Sequence, residues 1–159
     1  MNIYLIRHGD AEKSGGGKKD FDRDLTPSGL TKIQNAASSW KALINNFDFI
    51  ISSPLVRSHH TATVIAEIYD FKKDIILDDK LSPGSETESI IEIANSLKGE
   101  NFAFVGHQPD FSEHLSNLIS NKGAYIEFKK GAIAKISFYN KANLGKGILE
   151  FLIPASAYK

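Results

Sequence analysis

The sequence predicts an α/β fold: a three-layer α/β/α sandwich with a mostly parallel central sheet and an antiparallel C-terminal edge pair. Up to about residue 120, short apolar runs alternate with amphipathic helical patterns. This alternation is typical of parallel strands that are covered by helices on both faces. Two further strand-like runs then follow each other with no helical pattern between them. Such a pair favours antiparallel strands at one edge of the sheet.

Four apolar runs are predicted as strands of the parallel part. The first contains Ile3, Tyr4, Leu5 and Ile6 without polar alternation, as expected for a strand that is buried on both faces. The four predicted strands are residues 2–7, 47–52, 75–77 and 101–106. The C-terminal edge pair is predicted at residues 131–138 and 147–153, which are joined by a stretch rich in asparagine, glycine and lysine.

The first two predicted helices share one start signal, a hydroxyl residue followed by proline. Thr26 can cap a helix with Pro27 at its first position. Ser53-Pro54 repeats this pattern before a helix that runs to about Tyr69. The apolar positions of the first helix recur at spacings of three and four, namely Leu30, Ile33, Ala37, Trp40 and Ile44.

Two more helices are predicted on either side of the fourth strand. Ser85 and Glu88 have the spacing of a capping box, which predicts the start of a third helix. Pro109 opens a fourth. Their inward-facing positions are predicted to be Ile90, Ile91, Ala94 and Leu97 in the third helix, and Phe111, Leu115, Leu118 and Ile119 in the fourth.

The composition indicates one globular domain over residues 1–159. With 42% hydrophobic residues, the chain can bury one core. The chain has 19 lysine and arginine residues and 19 aspartate and glutamate residues. No long-range electrostatic attraction to nucleic acid or an anionic membrane is therefore expected. The absence of cysteine excludes a disulfide framework, a thiolate nucleophile and a cysteine zinc site. The first strand begins at residue 2 and no apolar run approaches a bilayer span, which predicts a cytoplasmic protein.

Basic and imidazole side chains follow two of the predicted parallel strands. Arg7-His8-Gly9 ends the first strand, and Gly106-His107 ends the fourth. Ligands of open α/β sheets bind at this edge. The second strand leads through Ser53 to a helix start, where free N–H groups and the dipole favour an anion and Arg57 adds donors. In isolation, the sequence around Arg57 favours a solvated arginine on the helix surface.

The loop of residues 13–24 leaves two interpretations open. Its Arg23 could reach back over the pocket, or the segment could be a solvated charge run that precedes a capped helix. A pocket of two arginines and two histidines suits a phosphoryl group, whose oxygens carry spread charge in the transition state. A histidine nucleophile would accept this group and yield it to water. No carboxylate cluster for Mg²⁺ stands beside these residues, and the adjacent His59 and His60 lack metal-ligand spacing.

Taken together, these segments resemble the histidine phosphatase (phosphoglycerate mutase-like) superfamily, and within it the SixA-like branch of phosphohistidine phosphatases. The resemblance extends from residue 3 to about residue 120. The segments that carry it are Arg7-His8-Gly9-Asp10-Ala11, Arg23-x-Leu25-Thr26-x-x-Gly29, Ser53-Pro54-x-x-Arg57 continuing into Thr61-Ala62, and Gly106-His107-Gln108-Pro109. The resemblance implies that His8 is the nucleophile, and that Arg7, Arg57 and His107 bind the phosphoryl group. We also expect substrate contacts from Gly9, Arg23, Ser53 and Gly106.

The chain departs from the family pattern in two places. It has His60 where glutamine commonly precedes Thr-Ala, and Pro83 where mutase-like members place a glutamate acid donor. It is also too short for the helical subdomain of the larger branches. These departures weaken a mutase assignment and fit the SixA-like branch. Asp10 or Glu12 could assist protonation of the leaving group, whereas Glu86 and Glu88 are predicted to lie at the start of a helix.

The sequence therefore predicts a phosphatase that needs neither metal nor cofactor and acts through a phospho-His8 intermediate. Its expected substrate is phosphohistidine in a partner protein. Two alternatives are a small-molecule phosphomonoesterase and a non-catalytic module that binds a phosphorylated ligand. The complete set of Arg7, His8, Arg57 and His107 argues against the binding module, because a binder needs no nucleophile. The oligomeric state is left open.

Overall fold

Six strands form one mixed sheet in the computed structural model, which describes residues 1–158. They are β1 (Asn2–Arg7), β2 (Phe49–Ser52), β3 (Ile76–Leu77), β4 (Asn101–Gly106), β5 (Ile133–Ser137) and β6 (Ile148–Ile153). Their spatial order is β3-β2-β4-β1-β5-β6. β1 to β4 are parallel, whereas β5 is antiparallel to β1 and β6 is antiparallel to β5. Every observed strand lies within its predicted range, and the predicted fold class is confirmed.

Four helices cover the two faces of the sheet. They are α1 (Pro27–Trp40), α2 (Val56–Ile68), α3 (Thr87–Ser96) and α4 (Asp110–Ile119). α1 and α2 pack on one face in a core that contains Trp40 and Ile65. α3 and α4 pack on the other face in a core that contains Ile90 and Phe111. Within residues 1–158, no helix is long and apolar enough to cross a membrane.

The predicted helix start, a hydroxyl residue followed by proline, is confirmed for α1. The Thr26 hydroxyl accepts a hydrogen bond from the Gly29 amide at 2.9 Å, and Pro27 is the first helical residue. α1 ends at Trp40, so Ile44 lies beyond the helix although its side chain is still buried. The last predicted position of the apolar stripe is therefore a core residue of the following turn.

The predicted hydroxyl caps at Ser53 and Ser85 are wrong. α2 begins at Val56 after Leu55, and α3 begins at Thr87 without a side-chain cap. Both hydroxyl groups hydrogen-bond a buried histidine instead: Ser53 Oγ lies 2.8 Å from Nε2 of His107, and Ser85 Oγ lies 2.9 Å from Nε2 of His114. Buried imidazole nitrogens need partners, and these tertiary contacts replace the local caps. Pro109 directly precedes α4, as predicted.

The register between β1 and β4 brings the two strand ends level. Arg7 pairs with Gly106, and the His8 amide continues the ladder by donating to the Gly106 carbonyl at 3.1 Å. On the other side of β4, the Ser53 amide donates to the Val105 carbonyl at 3.0 Å. His8, His107 and the start of α2 therefore leave the same edge of the sheet.

Candidate active site

A cleft of about 310 Å³ opens at the C-terminal edge of the parallel strands. Its wall contains the four side chains that the sequence predicts as catalytic, Arg7, His8, Arg57 and His107. It also contains Arg23, which extends from the loop of residues 13–24 to the cleft. The cleft adjoins a second hollow of about 400 Å³, and Arg7, Gln108 and Lys130 line both.

Both ring nitrogens of His8 have a defined partner. Nδ1 lies 2.7 Å from the Gly9 carbonyl oxygen, which can only accept, so Nδ1 carries the proton and donates it. In the neutral ring, Nε2 then keeps its lone pair. It accepts a hydrogen bond from Nε of Arg57 at 3.3 Å. The arrangement presents an unprotonated nitrogen to the cleft, as a nucleophile requires.

The surroundings of His8 keep its ring neutral. Only 8% of the residue is exposed. Burial lowers the pKa of His8 to about 4, and the positive charges of Arg57, Arg7 and Arg23 act in the same direction. The hydrogen bond to the Gly9 carbonyl opposes this shift without reversing it. At neutral pH, Nε2 therefore carries a lone pair and no proton, and this lone pair accepts the hydrogen bond from Arg57.

Arg57 is 4% exposed, although it lies in the first turn of a helix. Its Nη1 donates to the Asp20 carbonyl at 2.8 Å, and its Nη2 lies 3.2 Å from Oδ2 of Asp20. Thr61, one turn further along α2, accepts from the Gly9 amide at 3.2 Å and donates to the Arg57 carbonyl. This contact ties the start of α2 to the chain that follows β1. The structure excludes the solvated alternative for Arg57.

Arg7 and His107 each carry a buried nitrogen without a hydrogen-bond partner among residues 1–158. For Arg7 this atom is Nε, while its Nη1 donates to the Phe128 carbonyl at 2.8 Å. For His107 it is Nδ1. Buried polar atoms in native proteins are nearly always paired. Both side chains line the cleft, and these two nitrogens are buried in its wall.

His107 is held from behind by two serine hydroxyls. Its Nε2 lies 2.8 Å from Ser53 Oγ and 3.3 Å from Ser58 Oγ. Because Ser53 Oγ already accepts the Leu55 amide, its hydrogen can be donated to Nε2. The ring proton then sits on Nδ1, which becomes a donor. Burial lowers the pKa of His107 to about 3, and the charges of His8 and Arg57 contribute.

Arg23 and Asp20 close the outer side of the cleft. Nε and Nη2 of Arg23 lie 2.9 and 2.6 Å from Oδ1 of Asp20, and its Nη1 donates to the Glu12 carbonyl at 2.6 Å. The sequence analysis singled out Arg23 but missed Asp20. A carboxylate three residues before an arginine was the available signal, since this spacing suits a pair within one turn.

Three predicted substrate-binding residues lie behind the cleft wall that the described chain forms. The Gly9 amide is bonded to Thr61, and the Ser53 hydroxyl is bonded to His107. Gly106 ends β4, where a Cβ would lie 2.6 Å from the Phe111 ring. In this structure these residues position His8 and His107, and their predicted substrate contacts remain predictions.

Neither of the acids considered from sequence lies on the wall of the cleft within residues 1–158. Asp10 is hydrogen-bonded to Lys130, which lowers the pKa of its carboxyl group. Glu12 pairs with Lys18 at 2.7 Å. Asp20 is the one carboxylate of the described residues that lines the cleft. Its hydrogen bonds from arginine favour the ionised form, which has no proton to donate.

No group of three or more histidine, aspartate or glutamate side chains within residues 1–158 is arranged to hold a metal ion. The two adjacent histidines of α2 lie apart from the cleft wall. His60 Nδ1 lies 2.7 Å from Oδ1 of Asp24, and His59 is exposed.

Comparison with known proteins assigns the family. Residues 3–85 match the histidine phosphatase superfamily (branch 1). The chain belongs to this superfamily. It is 27% identical over 147 residues to the phosphohistidine phosphatase SixA homolog of Haemophilus influenzae, covering 86% of this chain and 87% of that protein. It is 28% identical over 136 residues to an uncharacterized protein of a Picosynechococcus strain, covering 84% and 82%.

The fold of this superfamily member is also that of a solved SixA structure. The protein histidine phosphatase SixA complexed with tungstate superimposes with a TM-score of 0.85, covers 99% of each chain and is 18% identical. The resemblance to the superfamily and to its SixA-like branch, inferred from short motifs, is therefore confirmed.

Proposed function

We propose that this protein is a metal-independent phosphatase that removes the phosphoryl group from phosphohistidine in a partner protein. The observation that carries the proposal is the state of His8. Its Nδ1 is fixed by the Gly9 carbonyl, while its unprotonated Nε2 faces a cleft with three arginines. An unprotonated ring nitrogen on the wall of a cationic cleft suits attack on a phosphoryl group once its hydrogen bond to Arg57 is exchanged for the bond to phosphorus.

In the first step, Nε2 of His8 forms a bond to phosphorus, and the bond between phosphorus and the substrate nitrogen breaks. The other ring nitrogen of the substrate has taken a proton from solvent beforehand, so the electron pair of the broken bond stays on the departing ring and the ring leaves as neutral imidazole. Negative charge on the transferring oxygens is stabilised by Arg57 and by the two unpaired nitrogens, Nε of Arg7 and Nδ1 of His107.

In the second step, water attacks the phosphorus of phospho-His8. The bond to Nε2 breaks, its electron pair returns to the ring, and the protons of the water remain on the phosphate product. A neutral imidazole has a conjugate-acid pKa of about 6.5, so His8 leaves readily without a strong general acid. The enzyme returns to its starting protonation state.

The cleft wall that residues 1–158 form contains no carboxyl group placed to donate a proton, and this supports phosphohistidine as the substrate. Pro83 lines the cleft, and the carboxylate of Asp20 is already bound to two arginines. An alkoxide leaving group requires a proton donor, whereas an imidazole does not. The similarity to a phosphohistidine phosphatase homolog of Haemophilus influenzae over most of both chains points in the same direction.

The proposal is tested with a phosphohistidine peptide and the full-length protein. His8→Ala should lose at least about 10³-fold in kcat, because the residue that forms the intermediate is removed. His59→Ala is the matched control, since His59 is an exposed histidine on the adjacent helix. Acid-labile phosphate should be trapped on wild-type protein and map to residue 8.

Three results would contradict the proposal. Near wild-type turnover by His8→Ala would rule out the nucleophile. Hydrolysis of phosphomonoesters but not phosphohistidine would leave the small-molecule phosphomonoesterase. Binding of phosphate without turnover of either substrate, or of p-nitrophenyl phosphate, would leave the non-catalytic module.

A further inference from the structure

Asp20 presents two oxygen atoms to Arg57 inside the cleft. Its carbonyl accepts from Nη1 at 2.8 Å, and its carboxylate Oδ2 lies 3.2 Å from Nη2. The remaining guanidinium nitrogen, Nε, is bonded to His8. Every nitrogen of Arg57 therefore has a partner before any substrate binds. Asp20 takes one N–H donor of Nη1 and one of Nη2, and these are donors that a phosphoryl group in the cleft could use.

The same carboxylate also accepts hydrogen bonds from Arg23. Its Oδ1 lies 2.9 Å from Nε and 2.6 Å from Nη2 of that residue. Hydrogen bonds from Arg23, together with the charge of Arg57, hold the pKa of Asp20 below its usual range. A carboxylate that bridges two guanidinium groups takes the position and the charge of a phosphoryl oxygen.

We propose that Asp20 is an internal anion that competes with the phosphoryl group for Arg57 and Arg23, and that sets how tightly the cleft holds phosphate. The inference rests on the proposed function, since it concerns the same cleft. A phosphoryl dianion bound to the two arginines and the Asp20 carboxylate would repel each other. Binding of the phosphoryl group therefore displaces the carboxylate from the arginines. Return of Asp20 to the arginines after hydrolysis favours release of the phosphate product.

The position of Asp20 in the chain permits this exchange. It lies in a short 3-10 turn, Asp20–Asp22, and 57% of its side chain is exposed. Displacement therefore moves a surface turn and leaves the buried core in place. The turn follows Gly15-Gly16-Gly17, where Gly15 and Gly17 have φ values of 96° and 83° that glycine adopts without strain.

The displacement lowers the affinity of every phosphoryl ligand by one common factor. Orthophosphate has no contact beyond the phosphoryl group, so its binding becomes weak in absolute terms. A phosphorylated protein makes contacts outside the cleft that offset the same loss. Asp20 thus keeps the resting cleft free of phosphate while a protein substrate still binds.

The test measures the dissociation constant of orthophosphate by titration calorimetry with the full-length protein. Asp20→Ala and Asp20→Asn should each bind phosphate about tenfold more tightly than wild type, because both remove the carboxylate charge that competes with the ligand for the two arginines. Asp22→Ala is the matched control. This change removes one negative charge from the same turn, but Asp22 is not part of the cleft wall that residues 1–158 form, so the phosphate affinity of the variant should stay within about twofold of wild type.

The outcomes separate this inference from the proposed function. Unchanged or weaker phosphate binding in both Asp20 variants, with clear binding by wild type, overturns the internal anion and leaves the phosphatase proposal standing. Equal tightening by Asp22→Ala also overturns it, since a general charge effect would then be the cause. Absence of phosphate binding in wild type and in every variant contradicts both proposals.

Discussion

Nε of Arg57 lies 3.3 Å from Nε2 of His8, while the Gly9 carbonyl holds the opposite ring nitrogen at 2.7 Å. The imidazole is therefore fixed from both sides, and its tautomer is set by the backbone. Arg57 itself is held by α2, whose first turn is tied to Gly9 through Thr61. Such an arrangement reduces the reorganisation that the reaction requires.

A first prediction concerns the pKa of His8. Burial and three nearby arginines lower its pKa to about 4, so the ring should stay neutral until the pH falls well below 6.5. NMR titration of the ligand-free protein should give a midpoint near 4 for His8. Arg57→Gln should raise this midpoint, because one of the charges that oppose protonation is removed. A wild-type midpoint near 6.5 would mean that the ring is not buried beside these arginines.

Independence from metal is a second prediction. Three arginines supply positive charge in the cleft, and the proposed mechanism assigns no role to Mg²⁺ or Zn²⁺. Turnover of the phosphohistidine peptide should be unchanged after dialysis against excess EDTA. Loss of activity that Mg²⁺ or Zn²⁺ restores would show that the proposed mechanism is incomplete.

Discrimination between leaving groups is a third prediction. Because Pro83 stands on the cleft wall, an alkoxide leaving group lacks the proton donor that typically contributes about 10²–10⁴-fold. The value of kcat/KM for a phosphohistidine peptide should therefore exceed that for a phosphoserine peptide of the same sequence by a factor of this order. Equal values would indicate an acid that the cleft acquires on substrate binding, and would redirect attention to Asp10, Glu12 or Glu86.

A fourth prediction concerns the contribution of His114 to the free energy of unfolding. This residue is 1% exposed, and its Nδ1 and Nε2 are each 2.9 Å from a hydroxyl group, of Thr87 and Ser85 respectively. Thr87 also accepts from Asn117. Replacement of His114 by alanine leaves a cavity and removes one hydrogen-bond partner from each of the two hydroxyls, which should lower the free energy of unfolding by about 2–4 kcal/mol.

The pH dependence of that effect follows from the pKa of His114, which burial lowers to about 4. Between pH 6.5 and 4 the unfolded chain binds a proton that the folded chain does not, so stability falls as the pH falls. One such group contributes a slope of up to about 1.4 kcal/mol per pH unit. Urea unfolding should show that the free energy of unfolding of His114→Ala decreases less than that of wild type when the pH is lowered from 6 to 5. An equally steep decline would show that His114 is protonated in the folded state. His59→Ala serves as the exposed control.

Sequence reasoning succeeded where local pattern and topology agree. Unbroken apolar runs identify β1 and β4, and the rule that ligands bind at the carboxyl edge then brings His8 and His107 together. It failed where tertiary contacts decide. Ser53 and Ser85 have the local signature of helix caps, but their hydroxyls bond buried histidines. The contact of Asp20 depends on the path of an irregular loop, which no periodicity encodes.

The pairing of Arg7 with Gly106 has a consequence for how this scaffold can diversify. Neighbouring strands lie about 4.8 Å apart, and the rings of His8 and His107, one residue beyond this pair, have centroids 5.2 Å apart. Backbone pairing in the sheet interior thus sets the spacing of the two histidine positions, while contacts with Gly9 and Ser53 orient the rings. Loops can be lengthened, shortened or grafted from relatives to alter recognition while the spacing of the reacting groups is inherited unchanged.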